Sequence, residues 1–345
     1  MAIGERMYMA RKLAGLSLRS LADQVGLSHT TIAKFEKGAE VPGSAVLLRV
    51  AAATGVSVEY FFRVAASIDL KPYYRKGHQL GQKAQARILS EVHEWLERYG
   101  EIESIFSEPR WGDGLPFVKA ATIESLDDIE SIADQLRLRW GLGSGPIDNL
   151  VEVLESHGIK IGLFNAPTGF DALSLKVDDV EVAMAAQTQV SGDRQRFSLA
   201  HELGHLVLPD SSDIDAESAA HRFAGAFLVP RAAAIRELGP VRHALSEKEL
   251  ASLKQEYGLS MAAWVHRAYD LHIINANQYR GMMIHFRQWG WSRCEPGEPI
   301  LPETPQRFER LVYRAVSEEL ISRSRAAELL RVTVKQFRQP NLVIF

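Results

Sequence analysis

The sequence predicts a mainly α protein with one α+β block in its middle. Apolar residues recur at helical spacing through most of the chain, strand-like apolar runs are confined to residues 160–185, and helix-capping residues punctuate the first sixty positions. At 345 residues the chain has room for two or three domains of roughly 100–200 residues each. Its content of 46% hydrophobic and 24% charged residues is that of an ordinary soluble globular protein. No apolar run approaches the ~18 residues that span a bilayer, so no membrane partner is expected. The opening residues MAIGERMYMARKLAG lack the pattern of a signal peptide. A single cysteine, Cys294, excludes an internal disulfide framework and fits a reducing compartment, so a cytoplasmic location is expected.

Residues 4–63 read as a five-helix unit with a tight turn between the second and third helices. Ser17 caps a helix over 18–25, whose Leu18, Leu21, Ala22 and Val25 form an apolar face. Gly26 follows where a helix end takes a positive φ angle. Ser28 then caps a helix over 29–37, with Ile32 and Phe35 inward and His29, Thr30, Thr31 and Lys34 outward. Gly38 ends that helix, Pro42 follows, and segments at 44–53 and 58–62 complete the unit. The whole chain carries a net charge of −3, but residues 1–66 hold eight Lys/Arg against five Asp/Glu, a local +3. That mild excess is compatible with phosphate contacts.

A longer helix is expected over 81–106, where Ile88, Val92, Trp95, Tyr99, Ile102 and Phe106 make a heptad seam. The seam either packs on its own domain or pairs two copies into a homodimer, which would suit an operator-binding protein. A loop at 109–116 follows. Helices at 129–140 and 147–157, strands at 160–163, 172–177 and 180–185, and helices at 199–208 and 216–228 then form the α+β block. Asp178-Asp179 joins the last two strands. From Ser260 the chain is helical again. The stretch from Val265 resembles that from Val312, which suggests either two copies of a helix-turn-helix unit or similar helix–turn chemistry at two places. The expected division is 1–66, a helical linker at 67–120, a block at 121–260 and a helical region at 261–345.

The segment around 196–208 contains His201, Glu202 and His205 in the pattern His-Glu-x-x-His. On a helix, positions i and i+4 share a face, so both imidazoles can aim at one point, at a separation that zinc–nitrogen bonds of ~2.0–2.1 Å accommodate. Glu202 sits one residue along, beside that point, where it can take a proton from the attacking water and pass it to the leaving amine. Gly204 is small where another backbone must come close. A peptidase-type zinc wants three protein ligands and one open position. Glu217 lies twelve residues after His205, on a second helix whose Ala219, Ala220, Ala224, Gly225 and Ala226 allow close packing, so its carboxylate can reach the metal. His221 shares the face of Glu217. It either orients that carboxylate or stabilises an oxyanion, or it is a satisfied histidine of the core or of the layer behind the ligands. Asp213 and Asp215 are weaker ligand candidates, and His243, His266, His272 and His285 read as structural or solvent-facing.

The outward face of the third helix is a candidate surface for an operator DNA. His29, Thr30, Thr31 and Lys34 suit base edges or phosphates, Ser28 a phosphate, and Gln24 on the preceding helix the backbone or a base. A small helical bundle serving protein contacts is the alternative. Over residues 6–63 the chain resembles XRE/Cro/C1-type helix-turn-helix domains, with Leu21, Ala22, Gly26, Ser28, Ile32, Glu36, Gly38, Pro42 and Phe61 matching the family pattern. That resemblance implies DNA binding.

The stretch RFSLAHELGHLVL, followed by ESAAHRFAGAFLVP, resembles the ImmA/IrrE family of metallo-endopeptidases. It implies a thermolysin-like minimal zincin core, zinc held by His201, His205 and Glu217, and Glu202 as general base. The chain departs from the family at His221, where asparagine is frequent. In related systems such a peptidase cleaves a transcriptional repressor, so the resemblance implies a protein substrate, a repressor or antitoxin, in a prophage, stress or toxin–antitoxin setting. A regulator whose metal domain is a sensor without turnover is the competing reading, and an antitoxin whose C-terminal helices bind a toxin is a third. An intact base beside intact ligands argues for chemistry, because a sensor has no need of Glu202.

Overall fold

The computed structural model describes residues 3–62, 70–72, 82–106, 123–166, 170–177, 181–209, 214–291 and 294–338. The expected loop at 109–116, the Asp178-Asp179 connection, Gly81 and Asp213 lie outside the described residues.

The N-terminal unit follows its cap chemistry closely. Helices α1 (Ile3–Leu13), α2 (Leu18–Val25), α3 (His29–Glu36) and α4 (Ser44–Thr54) are followed by a short 3-10 turn, Val58–Phe62. Ser17 accepts the Ser20 N–H, Ser28 accepts the Thr31 N–H, and Gly26 takes a φ of 67° between the two helices. Ile32 and Phe35 are buried in a core with Met7, Leu21, Val25, Leu47, Val50 and Phe61. Helix α1 crosses α3 at Gly4, where a Cβ would fall 2.0 Å from the Phe35 carbonyl oxygen. Beside that crossing Arg11 donates to both carboxylate oxygens of Glu36, at 2.6 and 2.7 Å, so a buried charge pair ties the same two helices.

Helix α5 (Gln82–Ile105) is part of the core rather than a connector. Its seam splits between two neighbours. Ile88, Val92, Trp95 and Tyr99 pack on Phe164, Leu173 and Leu175 of the sheet and on Phe170 just before β3. Ile102 and Phe106 pack on Val312, Ala315, Ala326 and Leu329 near the C-terminus. A fully buried side chain of this kind contributes about 1.5–3 kcal/mol. That gain is already made within one chain, so the seam has no free apolar stripe to offer a second copy. Strand β1 (Leu70–Pro72) also lies in the span expected to be a helical linker. Three residues ending in proline carry no strand signal of their own; pairing with a neighbour makes them one.

The sheet runs in the order β1-β3-β4-β2, with β2 at Lys160–Phe164, β3 at Ala172–Val177 and β4 at Glu181–Gln187. Strands β3 and β4 are antiparallel with Ser174 opposite Met184, β2 joins β4 in parallel, and β1 lies antiparallel on β3 with Lys71 opposite Lys176. Helices α6 (Leu126–Arg139) and α7 (Leu150–Ser156) precede the sheet, and α8 (Gly192–Val207) and α9 (Ala216–Leu228) follow it. Helix α7 begins three residues later than 147 because Asn149 caps it, and α8 begins seven residues earlier than 199.

The rest is helical: α10 (Arg231–Leu238), α11 (Glu247–Tyr257), α12 (Met261–Asp270), α13 (Ala276–Gln288), α14 (Arg307–Ser317), α15 (Arg323–Leu330) and α16 (Val334–Arg338). One hydrophobic cluster runs from Ile123 to Phe286 and includes Trp264, Val265 and Ala268, so the division expected at 260/261 has no counterpart in the packing. The internal repeat takes the form of one corner used twice. His272 and Glu319 adopt φ values of 58° and 57°, Ile273 N–H reaches Ala268 O and Leu320 N–H reaches Ala315 O, both at 2.8 Å, and Asn275 and Ser322 cap the next helix. No helix among the described residues is long and apolar enough to cross a membrane.

Candidate metal centre

Helices α8 and α9 build the centre, and each is held at its far end. At the start of α8, Gly192 N–H donates to Ile300 O at 2.8 Å, and a Cβ there would meet Leu301 O at 2.2 Å. Gln195 and Glu303 exchange side-chain to backbone hydrogen bonds of 3.0 and 2.7 Å, and Arg196 pairs with the Glu303 carboxylate. The segment 300–303 therefore straps α8 in place. At the end of α9 the orphan carbonyls are met by two buried arginines. Arg137 donates to Phe227 O at 2.6 Å and Arg267 to Val229 O at 2.9 Å. Glu130 of α6 binds Arg222 at 2.6 Å and also both terminal nitrogens of Arg267, so one carboxylate joins α6, α9 and α12.

With the helices fixed, His201 and His205 meet with ring centroids 4.6 Å apart. Glu217, on the first turn of α9, closes the group: its two oxygens lie 3.2 Å from His201 Nε2 and 3.5 Å from His205 Nε2. Donor atoms of the three residues all lie within 4.8 Å of one another. The close approach depends on Gly204, where a Cβ would stand 3.1 Å from Ala220 Cα. A tetrahedral centre with bonds near ~2.05 Å places its donors about 3.3 Å apart, so two imidazoles and a carboxylate at these spacings fit such an ion. The set leaves one coordination position open.

Glu202 is buried beside this group and does not join it. Its Oε2 accepts two hydrogen bonds from Ser174 of β3, 2.8 Å from the backbone N–H and 2.5 Å from the hydroxyl. Strand alternation explains the arrangement. Leu173 and Leu175 turn to α5 while Ser174, between them, turns to α8. Sequence reasoning missed Ser174 because the partners are 28 residues apart. The one available signal is a small polar residue set between two leucines of the strand.

Asp215 is spent as the α9 cap, accepting the Ser218 N–H at 2.9 Å. His221 lies on the wall of a cavity of about 410 Å³ that also includes His201, Glu217, Ser218, His266 and Asp270. Its ring sits 4.7 Å from Phe197, 6.0 Å from His201 and 5.5 Å from His266. The ring has an open edge on the cavity, yet surrounding protein, followed by His266 and His201, pushes its imidazole below the ordinary value. His266, expected to be structural or solvent-facing, is a wall residue of the same cavity. His243 and His285 line a separate, mostly apolar cavity of about 310 Å³ with Met282, Phe286, Trp289 and Trp291. His272 is the positive-φ residue of its corner.

Residues of the helix-turn-helix face are also where their helices predict. Gln24, Ser28, His29, Thr30 and Lys34 are exposed and Thr31 is half-buried. Ser28 Oγ is within 2.7 and 2.8 Å of the Thr30 and Thr31 hydroxyls, and Lys34 Nζ pairs with Glu40 at 2.7 Å.

Two families match the chain. The family described as Helix-turn-helix (HTH_3) matches residues 7–61, and the IrrE N-terminal-like domain family (Peptidase_M78) matches residues 184–269. The chain joins a helix-turn-helix domain to an IrrE N-terminal-like domain. Among curated proteins nothing matches it. The IrrE N-terminal-like match runs from within β4 through α8 to α11 and nearly all of α12, so His201, Glu202, His205, Glu217, His221 and His266 fall inside it while Ser174 lies before it. Its family is one of metallopeptidases, which implies a metal cofactor, and the His201–His205–Glu217 group is a fitting place for it.

Proposed function

We propose that the IrrE N-terminal-like domain is a zinc-dependent endopeptidase acting on a repressor or antitoxin, and that the helix-turn-helix domain brings it to operator DNA. The observation that carries this reading is the pairing of two features. Three metal-type donors lie within 4.8 Å of one another, and a separate buried carboxylate, Glu202, stands next to them under the control of Ser174.

His201, His205 and Glu217 would hold the ion. Two imidazoles and one carboxylate suit zinc among the divalent metals and leave a position for water and substrate. Bound there, zinc would polarise the scissile carbonyl and make water acidic enough to attack near neutral pH. Glu202 does the proton work: one oxygen is anchored by Ser174, and the carboxylate receives the proton from the attacking water and delivers it to the leaving amine. Helices α8 and α9 need no large movement to present these groups, since both are strapped at their far ends. The substrate assignment draws on the fusion itself, because a peptidase tied to a DNA-binding domain is concentrated where repressors sit.

The test is cleavage of an XRE-type repressor encoded beside the gene, co-expressed with the chain and with a Glu202→Gln variant. Turnover by the unaltered chain and none by the variant, at equal zinc content by elemental analysis, is the expected result. Cleavage that persists in the variant would sink the proton-transfer role. A zinc-loaded chain that never cleaves would leave a DNA-binding regulator with a metal-holding domain.

A further inference from the structure

We infer that His266, held by Asp270, is a substrate-binding residue of the cleft, accepting a backbone N–H of the bound polypeptide on a residue next to the scissile bond. The inference rests on the peptidase reading.

His266 and Asp270 are four apart on α12 and therefore share a face, and the Nδ1–carboxylate distance is 3.3 Å. Asp270 is itself fixed by Arg222, whose Nη1 lies 3.2 Å from its carboxylate and donates to its backbone oxygen at 3.0 Å. Burial works against an ionised Asp270, but the hydrogen bond from His266 and the surrounding charges, those of Arg222 and Arg267 among them, outweigh it and hold the carboxyl below its usual range. With Nδ1 turned to that carboxylate, Nε2 is the ring nitrogen left for a ligand, an acceptor in the Nδ1–H tautomer. The ring cannot swing freely. Tyr279 meets it edge-on at 5.6 Å, itself stacked on Tyr269 at 4.8 Å, and His221 lies on another side at 5.5 Å.

The cavity decides what this oriented acceptor is for. His266 and Asp270 line the same space of about 410 Å³ as the donors His201 and Glu217. His221 makes ring contacts with both His201 and His266, at 6.0 and 5.5 Å, so His266 is reached from the metal donors along this wall. An extended peptide advances about 3.3 Å per residue, and a chain leaving the metal along this wall brings a neighbouring amide to His266. The partner is a backbone group, so the contact would hold an extended segment irrespective of its side chains. A structural pair turned from the substrate would have no reason to line the cavity that holds the metal donors.

The experiment uses the zinc-loaded full chain and two hydroxamates: acetohydroxamate, which reaches only the metal, and a tetrapeptide hydroxamate, which also fills the cleft. Calorimetric Kd values are compared for the unaltered chain, His266→Ala and His266→Gln. The expected result is a loss of about three- to tenfold in tetrapeptide affinity for His266→Ala, the worth of one hydrogen bond, with acetohydroxamate affinity and zinc content unchanged. Gln retains an acceptor oxygen and should recover most of the loss. Unchanged tetrapeptide affinity in His266→Ala, or an equal loss for both hydroxamates, would overturn the inference alone. An unaltered, zinc-loaded chain that binds neither hydroxamate would overturn it together with the peptidase reading.

Discussion

Ser174 donates both its backbone N–H and its hydroxyl to one oxygen of Glu202, at 2.8 and 2.5 Å. A strand residue thereby sets where a helix carboxylate points. Removing the hydroxyl leaves the backbone bond in place, so Ser174→Ala should keep the carboxylate in the site but let it rotate. A hydrogen bond to a charged group is worth about 1.5–3 kcal/mol, so turnover should fall roughly ten- to a hundredfold. Zinc content should stay the same. Steady-state kinetics beside elemental analysis checks both, and a variant that loses metal would place Ser174 in the support of the ligands instead.

Gly204 governs how closely α8 can approach α9, since its Cβ position lies 3.1 Å from Ala220 Cα and 3.1 Å from Phe223 Cδ1. Valine there must push the two helices apart, at a cost of about 1–3 kcal/mol in stability. Glu217 rides on α9 and the histidines on α8, so the larger effect should be on the metal. Zinc affinity, measured by competition with a chromogenic chelator, should weaken more than tenfold. Equal affinity would mean that the ligand spacing tolerates the shift.

The helix-turn-helix domain meets α5 through Arg6, 2.6 Å from Glu97, with His93 beside it at 3.7 Å from the same carboxylate. Burial first, and Arg6 second, push the His93 imidazole below its ordinary value, while Glu5 and Glu94 oppose them weakly. The unfolded chain therefore takes up this proton before the folded one. The resulting stability is complete above about pH 6.5 and is lost as the pH falls through the lower folded value. Urea unfolding at pH 7.5 and 5.5 should show a loss on acidification that His93→Gln reduces. An identical loss in the variant would assign it to other groups.

Lys34 on the proposed DNA face is held by exposed Glu40 at 2.7 Å, a surface pair worth little by itself. Lys34→Ala should weaken a gel shift on the chain's own promoter and lower the salt slope by about one. Thr31→Ala should weaken it as well. Glu40→Gln should tighten it by releasing the lysine. No shift by the unaltered protein would favour a protein-docking role for the domain.

What was legible in the sequence was local. Ser17, Gly26 and Ser28 announce their helices because capping acts within three residues, and His201, Glu202 and His205 share a helix. Glu217 was within reach because small residues mark the helix that packs on that one. Contacts across the chain were not legible. Ser174 meets Glu202 only through the fold, β1 exists only because β3 pairs with it, and the α8 strap comes from residues 300–303. His266 is a different case: its Asp270 partner lies at helical spacing, but no second histidine does, so metal-ligand spacing gives it no role.

Glu130 answers two arginines from two helices, one of which also carries Glu217, the proposed ligand. Such a three-way joint constrains how this sequence can drift. Losing the carboxylate alone would strand the charge of Arg267 and leave Arg222 to Asp270, and losing Arg267 would take from the buried acid the guanidinium that holds both its oxygens. Substitutions at 130, 222 and 267 should therefore arrive together or not at all, an inherited signature of the centre at positions that never touch the metal.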